Sequence, residues 1–182
     1  MIKRGTLIIG TAIALVVGSA GVSAAIADTG SPHVSPAIRQ GDTSFYSQEQ
    51  IPAAWTAATA AVPEPLPAGA TYPKEAPPLL FGDGTSNNIY EQGLPEELAT
   101  RWWRCAWIEY SQSGTAARDG KTAEVQKKLA KWKSFTAVEE FDGLQGYEEK
   151  MSALAQRLDE SPLAAEFRLD CGPDVYNTGS EK

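Results

Sequence analysis

Apolar positions recur at helical spacing in three stretches of this chain, and the strongest runs from Leu94 to Tyr110. At 100° per residue, Leu98, Ala99, Trp102, Trp103, Ala106, Trp107 and Tyr110 fall on one broad side, with Arg101 and Arg104 opposite. Pro95 suits the first helical position, and Glu96 and Glu97 set negative charge against the positive end of the helix dipole. The pattern therefore predicts a helix with its aromatic side buried. Aromatic residues at this spacing ordinarily form core. The competing reading is an exposed aromatic platform, for which Trp103 and Trp107, at one edge of the stripe, are the candidate binding surface.

A second period runs from about Lys121 to Lys133, with Val125, Leu129 and Trp132 at i, i+4 and i+7. Lys127, Lys128, Lys131 and Lys133 lie mostly on the other sides, which makes this a basic amphipathic helix. Such a face either attracts anionic lipid or wall polymer, or is a solvated face balanced by Glu139, Glu140, Asp142, Glu148 and Glu149; the second reading is favoured. Between these two helices, Ser113-Gly114 and Asp119-Gly120 mark turns. The third period covers Gly146 to Glu160, where Tyr147, Met151, Leu154, Ala155 and Leu158 share one stripe. Ser161 then caps a short fourth helix with Pro162 at its first position, and Cys171-Gly172-Pro173 ends it.

Upstream the pattern changes. Nine of the twelve prolines fall between residues 28 and 93, and the run from Pro63 to Pro78 has too many to be a helix or a central strand. This stretch reads as a proline-, alanine- and glycine-rich linker, largely extended, with an end-to-end distance of roughly 45 Å if flexible. Within it, residues 47–61 form one island: Ser47 and Gln50 have capping-box spacing ahead of an alanine-rich run with Trp55, which predicts a short helix. Leu79-Leu80-Phe81 is expected to drape over the globular part. Two look-alikes nearby are set aside. Gly82-Asp83-Gly84 lacks the third glycine and the preceding strand of a dinucleotide fingerprint. Asp83, Thr85 and Asn87 start like a calcium loop, but Asn88 stands where glycine is needed and Leu94 where the bidentate Glu belongs.

Residues 1–27 have the layout of an export segment: Lys3 and Arg4, an apolar run from Leu7 to Val17, and Ala25-Ile26-Ala27 ahead of Asp28. The uncharged stretch is also long enough to span a bilayer. Cleaved signal peptide and retained N-terminal anchor both stand, and each places the remaining chain outside the cytoplasmic membrane. An oxidising compartment makes the two cysteines, Cys105 and Cys171, a disulfide most simply, tying the first helix of the domain to the last. A reactive thiol or metal ligand is the alternative, weakened by a single histidine, His33, remote in the proline-rich segment.

The expected architecture is mainly α: a disulfide-stapled domain of three main helices and a short fourth over residues 94–173, followed by a polar tail at 174–182. Sixteen Lys and Arg against twenty-three Asp and Glu, a net charge of −7 over 182 residues, argue against nucleic acid as a partner. No cofactor or metal motif is present, and no catalytic residue is assigned. The sequence points to an exported, non-enzymatic module that binds a protein or cell-envelope component. A membrane-anchored structural spacer is the second reading. The third is an envelope hydrolase using Glu109, which projects near the apolar side of its helix, with a neighbouring carboxylate.

Overall fold

The computed structural model describes residues 34–81, 88–140, 146–173 and 175–176. Residues 1–27, read above as an export segment, His33, the two look-alike motifs at 82–87, Asp142 and the tail from 177 lie outside them. Among the described residues the protein is mainly helical, with one small antiparallel sheet.

The sheet is an addition to what the sequence predicts. Strand β1 (Ile38–Gln40) pairs with β2 (Thr43–Ser47) through a tight turn, and β2 pairs with β3 (Ile89–Glu91) in the order β1-β2-β3. Helix α1 (Ile51–Ala61) follows directly, with Pro52 in its first turn and Gln50 Oε1 accepting from the Ser47 backbone N–H at 3.1 Å. Its Ile51, Ala54, Trp55 and Ala58 are buried.

Helix α2 (Leu94–Gln112) is the centre of the fold. It buries Thr100, Cys105 and Ile108 as well as the expected aromatic side, so it is covered on more than one face. The adjacent Trp102 and Trp103 diverge by about 100° and enter different clusters. Trp102 joins α1, Tyr46, Leu80 and Tyr90 in one; Trp103 and Trp107 join the helices that follow in the other. Those helices are α3 (Thr115–Arg118), α4 (Thr122–Lys131), α5 (Thr136–Glu140), α6 (Tyr147–Leu158) and α7 (Pro162–Asp170). Gly114 and Gly120 turn the chain around α3 at φ 72° and 67°, a region that favours glycine. The Ser161 hydroxyl caps α7 by accepting from Ala164 N–H at 3.2 Å.

Cys105 and Cys171 are joined, closing a loop with a sequence separation of 66 and fastening the end of α7 to the middle of α2. Beyond the bridge, Tyr176 folds back onto Trp102, ring centroids 4.7 Å apart.

Residues 34–81 do not stand off from the helices as a spacer. Prolines keep this stretch out of regular structure, as expected, but Trp55, Ala76, Leu80 and Pro67 are buried, and the cost of exposing them holds the segment against α2. Tyr72 lies between Trp55 and Trp102, with centroids 6.3 and 5.2 Å away.

Burial pushes the ionisation of Tyr72, Tyr147 and Tyr176 upward; carboxylates Asp170 and Glu109 add to the effect at Tyr147 and Tyr176. An unfolded tyrosine ionises near pH 10. The folded chain therefore holds these protons where the unfolded chain releases them. Stability is unaffected below about pH 10 and falls as pH rises through the folded values. The Tyr72 hydroxyl has no hydrogen-bond partner among the described residues. Tyr72→Phe is expected to raise stability at neutral pH by about 1 kcal/mol and to flatten the alkaline decline. Urea unfolding at pH 7 and pH 10.5 checks both, and a loss above about 1 kcal/mol at pH 7 would mean the hydroxyl has a partner.

Candidate functional site

Trp103 and Trp107, one turn apart on α2, present their indoles side by side with centroids 6.1 Å apart. They are 0% and 4% exposed, so they do not form an open platform. What covers them is the proline-rich segment itself. The backbone carbonyl of Pro65 accepts both indole N–H groups, at 3.0 Å from Trp103 and 3.2 Å from Trp107. Leu66 packs against both core clusters, and Pro67 is buried.

Helix α4 supplies the other wall. Val125 and Leu129 face the core, which leaves Lys128 and Lys131, three apart, on the rim. Both ammonium groups grip the Glu64 carboxylate, and together they hold its ionisation below the usual carboxylate range. Lys128 also lies 6.0 Å from the centroid of the Trp107 ring. Lys133 pairs with Glu148 at 2.5 Å. Lys128 and Lys131 of α4 are thus balanced by Glu64 from the segment read as a linker, and Lys133, just past the helix, by Glu148, one of the downstream carboxylates the sequence offers.

Beside this strap lies an open groove of about 570 Å³, within the size range of ligand sites. The start of β2, the residues after β3, the first turns of α2, the end of α1 and the start of α5 enclose it. Acidic Asp42, Glu91 and Glu96 and hydroxyl-bearing Thr43, Ser44 and Thr136 are among its lining residues. Among the described residues, no Lys, Arg or His lines it. Burial, and after it the charge of Glu96, raises the ionisation of the nearby Tyr46 hydroxyl. Sequence reading missed this groove because its walls come from five separate elements, none of which carries a motif.

Glu109, the candidate of the hydrolase reading, accepts a hydrogen bond from the Tyr176 hydroxyl. That contact ties Tyr176, beyond α7, to α2. Arg104, on the side of α2 opposite the aromatic stripe, is covered as well. It pairs with Glu166 of α7 through two contacts, donates to the Leu129 carbonyl at 3.0 Å, and lies 4.3 Å from the centroid of the Trp132 ring. Among the described residues, no group of three or more His, Cys, Asp and Glu could hold a metal ion, and no helix is long and apolar enough to cross a membrane.

Fold and site together define a disulfide-stapled, mainly helical protein with a small sheet, a strapped aromatic surface and an acidic groove. No protein-family model, curated protein or solved structure matches the chain.

Proposed function

We propose that this chain is an exported, non-enzymatic module that binds a positively charged protein segment or envelope component in the acidic groove. The observation that carries the reading is the lining: three acidic and several hydroxyl-bearing residues around about 570 Å³, with no Lys, Arg or His among the described residues there. A ligand that donates hydrogen bonds and carries positive charge complements such a wall, and the chain's net charge of −7 steers it there. The disulfide favours an oxidising compartment, consistent with delivery by the N-terminal segment, whether that segment is cleaved or kept as an anchor.

Fluorescence anisotropy with a labelled peptide of alternating Lys and Gly, against its Glu counterpart, tests this. The Lys peptide is expected to bind, more weakly as salt is added. Asp42→Asn with Glu91→Gln is expected to weaken it about tenfold. Equal binding of the two peptides, or an unchanged affinity in the double variant, refutes the reading.

A further inference from the structure

The strap contacts the helical surface as a ligand contacts a receptor. Prolines at 63, 65 and 67 remove three backbone donors, so the segment between them is held by what it can still offer: a carbonyl, a carboxylate and apolar side chains. Each is met. Two indole N–H groups converge on the Pro65 carbonyl, two ammonium groups converge on the Glu64 carboxylate, and Leu66 is packed between the two clusters. Tryptophan-lined surfaces that read proline-rich segments elsewhere use the same elements, because a proline-fixed chain loses little entropy on docking and exposes its carbonyls.

We propose that the surface formed by Trp103, Trp107, Lys128 and Lys131 is a recognition site for an extended Glu-Pro-x-Pro segment of another protein, occupied in the resting state by this chain's own Glu64 to Pro67. Charge complementarity selects the partner: the lysine pair demands a carboxylate immediately before the proline whose carbonyl meets the indoles. Tethering places the internal segment at an effective concentration on the order of millimolar, so it excludes a free competitor at micromolar levels. The partner therefore binds when the strap is weakened or when it is itself locally concentrated. The inference is independent of the acidic groove and stands or falls without it.

The test uses the full chain and a fluorescein-labelled synthetic peptide with the sequence of residues 61–69. A strap variant, Glu64→Gln with Leu66→Ala, loosens the internal ligand while leaving all four receptor side chains in place. The peptide is expected to bind this variant at least about tenfold more tightly than the native chain, with a change in tryptophan emission. Adding Lys128→Gln and Lys131→Gln, or replacing the peptide's Glu by Gln, is expected to remove about tenfold of that affinity. Equal affinity for native and strap variants overturns the proposal. So does absence of binding to a variant that keeps its far-ultraviolet dichroism and cooperative unfolding. Should the double change unfold the chain, Glu64→Gln alone takes its place and is judged by the same outcomes.

Discussion

A chain carrying Cys105→Ala and Cys171→Ala together is expected to lose about 4 kcal/mol of unfolding free energy relative to the oxidised protein. The reason is the separation of 66 residues between the two positions, which the bridge removes from the freedom of the unfolded chain. Both side chains are buried, at 1% and 7%, so alanine avoids the cost of burying a hydroxyl that serine would add. Helix α7 depends on the bridge, since among its residues only Ala165 and Glu166 are fully buried. Without the bond, the end of α7 is held to α2 by Phe167, the Arg104–Glu166 and Arg101–Asp170 pairs and the returning Tyr176. A loss of 4 kcal/mol is a large part of the 5 to 15 kcal/mol a domain possesses. Urea unfolding followed by tryptophan emission measures it, and near-ultraviolet dichroism should report looser packing of Tyr176 on Trp102. A difference under about 1 kcal/mol would show that the unfolded chain gains little freedom when the bridge is removed.

Where local chemistry decided the structure, the sequence was readable. Pro95 with Glu96 and Glu97 starts α2, Ser161 with Pro162 starts α7, Ser47 with Gln50 precedes α1, and the apolar period of α6 needs no distant partner to be recognised. The disulfide is expected from two cysteines downstream of a stretch with the layout of an export segment. The sheet was not readable, because strands of three, five and three residues are too short for alternation to show. The partner of β2 on one side also lies more than forty residues away in sequence, at Ile89–Glu91. Short turn-linked strands inside a proline-rich stretch leave no periodic mark.

The strap shows a different limit. Three alternate prolines correctly exclude helix, but extended backbone can be solvated or docked, and only the positions of Trp103 and Trp107 decide which. The sequence favours core for these two tryptophans and offers a surface as the competing reading; their indole N–H groups are met by a carbonyl about forty residues upstream. Composition predicts the local conformation of a proline-rich segment; what the segment packs on is a tertiary fact. The same holds for Glu64, whose charge looks like linker solubility until α4 brings two lysines to it.

Glu166→Ala is expected to cost about 3 to 5 kcal/mol, because it strands the Arg104 guanidinium in a space that water reaches poorly. The two side chains are 12% and 6% exposed, and one of their contacts is 2.7 Å from Arg104 Nη2 to Glu166 Oε2. The guanidinium also serves the Leu129 carbonyl and faces the Trp132 ring, so one charge links α2, the end of α4 and α7. The helical wheel sets Arg104 opposite the aromatic stripe, and a wheel shows one helix and not what lies over it. Here the cover is α7, whose acidic residue follows Arg104 by 62 positions. Replacing both partners by apolar residues of similar length, Arg104→Met with Glu166→Leu, is expected to cost far less than either single change, since no charge is left unpaired. Urea unfolding of the two single variants and the double variant forms a complete thermodynamic cycle. If the single and double losses simply add, the two charges do not interact. A coupling of several kcal/mol identifies the pair as a polar contact that helps fix how α7 sits on α2, beside the disulfide and the Arg101–Asp170 pair at 3.9 Å.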